Sequence, residues 1–140
     1  MSNEITISGG VTIKKDNLFR NYPITYRADM TGMLGPTPGA FNVGTGGVIV
    51  DLSRLTTPGL CIITNYDDDN YVTAGIYDPQ TDIFYPYMEI PAGQSQPFFM
   101  AREILEEYTS TGTGTTGPTN QFMIKANTGI CAVSVDAYDK

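Results

Sequence analysis

The chain contains no histidine and no tryptophan, only two cysteines, and eight Lys plus Arg against fifteen Asp plus Glu among its 140 residues. Without histidine there is no ordinary neutral-pH general base, no imidazole for zinc, and no Ser-His or Cys-His nucleophile pair. Most familiar hydrolases are thereby excluded. The basic residues are scattered, with Lys14-Lys15 as the sole adjacent pair, and the formal net charge is −7. A sequence-independent grip on nucleic acid needs phosphate-facing cations and their counterion release, so it is not expected. Charged residues make up 16% of the chain, against about 25% in an ordinary soluble domain. The polar surface must therefore be largely neutral, built from Thr, Ser, Asn, Gln and Gly.

No apolar run approaches the ~20 residues of a membrane span, and the opening MSNEITISGG lacks the charged start and apolar stretch of a signal peptide. The expectation is a soluble protein made in a reducing cytoplasm, without membrane or nucleic-acid partners. Cys61 and Cys131 each sit inside an apolar run, LCII and GICAVSV, instead of in a close metal-ligand spacing. Two buried free thiols are the plain expectation, and a disulfide between neighbouring strands is the alternative.

What the chain does have is short apolar segments punctuated by turns. Ile5, Ile7, Val11 and Ile13 alternate with polar residues around Gly9-Gly10, which reads as a hairpin or a bulged extended arm. Tyr22, Ile24 and Tyr26 form a second strand, whose Pro23 suits an edge or a strand start. Residues 31–47, TGMLGPTPGAFNVGTGG, are dense in Gly and Pro and are expected to be a long loop. Strands follow over 48–52, 60–64, 71–77, 83–90, 96–101, 122–126 and 130–137, separated by turn clusters. AREILEEY at 101–108 is the only candidate helix, and STGTGTTGPTN at 110–120 is a low-complexity loop. About eight or nine short strands with at most one short helix predict an all-β fold. The expected form is an antiparallel β-sandwich, jelly-roll or Ig-like, with an extended N-terminal arm. The division expected is 1–46 as arm and loop and 47–140 as the sandwich core.

Chemistry is sparse. Asp67-Asp68-Asp69 could attract a hard cation, but it lacks the alternating ligands, central glycine and distal glutamate of an EF-hand and reads as a solvated turn. Glu103, Glu106, Glu107 and Asp82 offer carboxylates with no spacing that pairs two across a sugar ring. TGTGTTG and the GTGG at 44–47 lack the Lys-Ser/Thr of a phosphate loop. No catalytic, cofactor or metal residue is assigned, and the chain is read as a non-enzyme. Aromatics concentrate between residues 66 and 99. Strict alternation over 83–90 puts Ile83, Tyr85 and Tyr87 on one face and Phe84, Pro86 and Met88 on the other, so both faces are apolar and one should be covered by another layer or another subunit. The expected assembly contacts are Ile5, Ile7, Val11, Ile13, Phe19, Met33, Leu34, Phe41, Phe84, Tyr85, Tyr87 and Met88.

The stretches DLSRLTTPG at 51–59, TNYDDDNYVTAG at 64–75, IPAGQ at 90–94 and IKANT at 124–128 form a recognisable series. It resembles a group of small β-sandwich virion structural proteins of tailed bacteriophages, in which an N-x-D-x-x-N-Y-V-x-x-G hairpin precedes a P-G-E-like turn and a terminal strand. The resemblance spans about 90 of 140 residues and consists of turn chemistry; residues 1–46 lie outside it, and Gln94 stands where the pattern prefers an acid. It implies a virion protein, made in the host cytoplasm, that packs against copies of itself and against capsid proteins. A head decoration or cement protein is the first expectation and a head-tail connector or tail component the second. A glycan-binding module using Tyr66, Tyr71, Tyr85 or Tyr87 as stacking platforms is the competing one.

Overall fold

A computed structural model describes residues 4–30, 32, 34–101 and 121–139. The expected helix at 101–108, apart from Ala101, and the loop at 110–120 lie outside them. The described chain is all-β, with ten strands and no helix: β1 (Ile5–Lys15), β2 (Leu18–Ala28), β3 (Thr37–Val43), β4 (Val48–Ile49), β5 (Pro58–Asn65), β6 (Val72–Asp78), β7 (Ile83–Ile90), β8 (Ser95–Phe99), β9 (Gln121–Ala126) and β10 (Cys131–Asp139). β1 and β2 form a two-stranded hairpin, and the other eight make two antiparallel sheets ordered β3-β10-β5-β8 and β4-β9-β6-β7.

The two four-stranded sheets share one core. Val43, Cys61, Ile63, Val133 and Val135 from the first pack with Val72, Ala74, Ile90, Phe122 and Ile124 from the second. These residues occupy alternate strand positions, which is how a sheet presents one face to a partner layer. Phe98 and Phe122 meet across the layers with ring centroids 5.8 Å apart, within the range of a favourable aromatic contact. Asn65 is a fully buried polar residue in this core. Its Nδ2 donates to the carbonyls of Asn70 at 2.8 Å and Ile90 at 3.2 Å, and its Oδ1 accepts from the Asp67 amide at 3.0 Å. A buried amide with all these partners costs little.

Three sequence expectations change. Residues 31–47 are not a structureless loop, because 37–43 form β3 and pair with β10 from Thr37↔Ala137 to Val43↔Cys131. β3 lies at a sheet edge, where Pro38 forfeits no ladder bond that a central strand would need. The N-terminal hairpin does not turn at Gly9-Gly10, which lie mid-strand opposite Ile24 and Pro23. It turns after Lys15, where Asp16 takes a positive φ of 51°; a short polar side chain tolerates that left-handed backbone. Finally, strict alternation fails in β7. The register jumps from Ala74↔Met88 to Gly75↔Pro86, leaving Tyr87 as the extra residue of a bulge.

The two thiols are free and buried. Both belong to the sheet containing β10, but Cys61 pairs with Ala137, six residues along that strand from Cys131. Six residues span about 20 Å, far beyond the ~7 Å limit for bridging, so the disulfide alternative is excluded. The C-terminal end of β10 is pinned by Asp139, buried, whose Oδ1 accepts from the amides of Thr56 at 2.8 Å and Thr57 at 3.1 Å.

Candidate assembly surfaces

Antiparallel pairing fixes which side chains of the hairpin share a face, since directly opposed residues point the same way. One face carries Ile5, Ile7, Val11 and Ile13 from β1 with Tyr26, Ile24, Tyr22 and Leu18 from β2. The other carries Thr6, Ser8, Thr12 and Lys14 with Arg27, Thr25, Asn21 and Phe19. The hairpin is thus amphipathic. Among the described residues only its base is anchored: Ile5 is buried, and Tyr26 stacks on Phe99 of β8 at 4.2 Å between ring centroids. From Ser8 to Arg27 every residue is exposed. Val11 is 45% and Tyr22 53% accessible, so the apolar face is open along most of its length.

Charge follows the same division. Residues 5–28 contain four basic residues, Lys14, Lys15, Arg20 and Arg27, against one acid, Asp16, for a net +3; the remaining residues hold four basic and fourteen acidic, for −10. The cations that look scattered along the sequence are half gathered on one hairpin.

The second exposed apolar surface is β7, the edge strand of its sheet. Beyond the bulge, Ile83 and Tyr85 share the face of Met88 and Ile90 through their partners Asp78, Ile76, Ala74 and Val72. Met88 and Ile90 pack into the core, whereas Ile83 and Tyr85 continue that face into solvent. Tyr85 is 54% and Tyr87 56% accessible. Two-sidedness is therefore real, but its partition differs from simple alternation. The opposite face forms an open cleft of about 630 Å³ between Thr73, Tyr77, Asp82, Phe84, Pro86 and Lys125. There the Tyr77 hydroxyl donates to Asp82 Oδ1 at 2.7 Å, and that bond with the neighbouring carboxylate raises the phenol's pKa.

Of the other expected contact residues, Phe41 and Met88 pack half-buried against the core, and Phe84 is half-buried in the cleft. Ile7 is half-buried near the hairpin base. Phe19 is exposed on the hairpin's polar face. Leu34 is exposed beside a cleft shared with Glu4, Met30 and Tyr138. Met33 lies outside the described residues. The hairpin and β7 are the two places where several expected residues are brought together: Val11 with Ile13, and Tyr85 with Tyr87. Missing from the expectation were Leu18, Tyr22, Ile24, Tyr26 and Ile83, all exposed. Their signal was present, because Tyr22, Ile24 and Tyr26 alternate as regularly as the β1 residues they face.

The acidic turn is structurally engaged. Asp67 Oδ1 accepts the amides of Asp69 at 2.9 Å and Asn70 at 2.6 Å, and these bonds, that of Asn70 first, lower its pKa. Among the described residues no group of three or more Cys, Asp or Glu is placed to hold a metal. Asp82, one of the carboxylates considered for sugar chemistry, is committed to Tyr77, and Glu103, Glu106 and Glu107 lie outside the described residues. In comparison with known proteins, the chain matches no family model, no curated protein and no solved structure.

Proposed function

We propose that this chain is a non-enzymatic bacteriophage virion structural protein, a head decoration or cement subunit that packs against its own copies and against the capsid. A head-tail connector or tail station is the alternative location for the same kind of subunit. The observation that carries the reading is the hairpin with one open apolar face. A two-stranded hairpin is marginal in water without a further layer to cover it, so eleven-residue strands of this composition make sense as an N-terminal arm that meets a neighbour.

The topology supports the jelly-roll form of the sandwich. The order β3-β10-β5-β8 facing β4-β9-β6-β7 means that six of the seven connections from β3 to β10 cross between sheets, with β6–β7 the one hairpin kept within a sheet. Eight strands wound in this way are the double Greek key of viral shell and lectin domains. Because lectins share it, the fold alone does not select a shell role. Glycan binding has weaker support from the tyrosines. Tyr66 and Tyr71 flank the turn before β6, while Tyr85 is opposite Ile76, some four residues and about 13 Å further along, so the exposed rings do not form one platform.

The test is co-expression with the genes beside this one, followed by gradient sedimentation of the particles formed. Recovery of the protein at fixed stoichiometry in the shell fraction supports the reading. A protein that stays monomeric at the top of the gradient, with no other virion component, overturns it.

A further inference from the structure

Resting on the assembly reading, we infer that copies of this chain join head-to-tail, the apolar face of one copy's basic hairpin docking on the acid-flanked β7 edge of the next.

Three observations select a second copy's β7 as the occupant. The first is charge. The hairpin carries +3 while the rest of the chain carries −10, so a hairpin facing another hairpin meets like charge and a hairpin facing another copy's body meets opposite charge. Lys15 and Arg20 lie on the apolar face at the hairpin tip, and Asp78, Asp82 and Glu89 border β7. Complementary potentials of this kind choose partner and register.

The second is area. Val11, Ile13, Leu18, Tyr22, Ile24 and Tyr26 are each 40–53% accessible, which leaves roughly 500 Å² of surface open on that face, the size of the largest and often functional patch on a monomer. Ile83, Tyr85 and Tyr87 at 44–56% add roughly 300 Å². At the usual apolar share of an interface, about 57%, the two together correspond to about 1,400 Å² in total, the size of a standard specific contact.

The third is the edge itself. Among the described residues β7 pairs only with β6, so its other side presents backbone donors and acceptors, and an unprotected apolar edge invites another chain. Such a contact is heterologous: each copy uses one surface to give and a different one to receive, so the assembly closes only as a ring or continues as an array.

The experiment uses the full chain and two variants, each with one surface disabled: Val11→Glu with Tyr22→Glu on the hairpin, and Ile83→Glu with Tyr85→Glu on β7. All four positions are exposed. Circular dichroism and thermal melting check folding, and if either pair unfolds the milder Arg20→Glu and Asp82→Lys replace them. Light scattering should show wild type self-associating, more weakly as salt rises, and each variant alone monomeric. Mixed, the variants should give a 1:1 heterodimer and nothing larger, because one supplies an intact hairpin and the other an intact β7. Self-association of wild type without heterodimer in the mixture overturns the head-to-tail contact and leaves the assembly reading standing. If the wild type is monomeric at all concentrations, as it would be if residues 102–120 of the same chain covered these surfaces, the contact is overturned. If shells also fail to take up the protein, the assembly reading falls with it.

Discussion

The side-chain amide of Asn65, on β5, donates to the main-chain carbonyl of Ile90, on β7, at 3.2 Å, and so ties one sheet to the other from inside the core. The same nitrogen reaches Asn70 O at 2.8 Å. Asn65→Ala should leave the Asn70 carbonyl and the Asp67 amide without these bonds, take one from the Ile90 carbonyl, and cost about 1–3 kcal/mol in urea unfolding. Asn65→Asp should cost more than alanine at neutral pH, because it turns two donated bonds into oxygen facing oxygen and buries a charge. Equal midpoints for the two variants would show that the amide is not the tie.

Gly75 sits at the β7 bulge, where an added Cβ would collide with the carbonyl oxygen of Tyr85 and come within 2.7 Å of Pro86 Cα. Backbone cannot swing aside as a side chain does. Gly75→Ala should therefore cost about 1–3 kcal/mol, whereas Gly9→Ala, with nothing within 4 Å, should be neutral or stabilise by up to about 1 kcal/mol. Chemical denaturation of both variants makes the comparison.

Burial pushes the Cys61 thiol from 9.0 up to about 12. Below the unfolded value both states keep the proton and stability is at its full level. Between 9.0 and about 12 the unfolded chain releases a proton that the folded chain retains, so stability falls as pH rises, by at most ~1.4 kcal/mol per unit for this group. Urea midpoints measured from about pH 8 to about pH 10.5 should decline less steeply in Cys61→Val than in wild type; parallel profiles would count against the assignment.

Tyr26 and Phe99 are the aromatic anchor of the hairpin. A double-mutant cycle with alanine at both should return a coupling of about 0.5–1.5 kcal/mol. Either single variant should speed amide exchange in β1 and β2 while leaving β5 and β10 protected, because the core residues are elsewhere. Uniformly faster exchange would mean that the hairpin is part of the cooperative core.

The strands of the sandwich were legible where local chemistry was consistent. Leu60 to Thr64, Ile83 to Ile90 and Phe122 to Ala126 are bounded by turn residues, and all three lie in strands of nearly those limits. β3 was hidden because TPGAFNV has the composition of a loop, and only its place at the edge beside β10 makes a strand of it. The glycine pair at 9–10 drew the hairpin turn away from Asp16, whose left-handed backbone leaves no mark stronger than an Asp-Asn dipeptide. The face assignment of Met88 failed because the bulge at Tyr87 depends on the partner strand, and Gly75 lies thirteen residues away. Of the candidate contact residues, the exposure of Val11 and Ile13 on β1 and of Tyr85 on β7 could be read from alternation. Phe41 and Met88 could not be told from surface residues, since their burial depends on which sheet faces them.

The sheet order also sets a timetable for folding. β10, the last strand in the sequence, lies between β3 and β5, and β9 lies between β4 and β6. As the chain leaves the ribosome N-terminal first, at roughly 5–20 residues per second, β3 and β4 must wait unpaired for β10 and β9, whereas the β1–β2 hairpin, the β6–β7 pair and β5 with β8 can close before either is made. Such non-local wiring folds slowly, and for those seconds an apolar hairpin and several bare strand edges are exposed together. High-level synthesis should therefore favour aggregation of nascent chains, with lower temperature and slower translation raising the soluble yield.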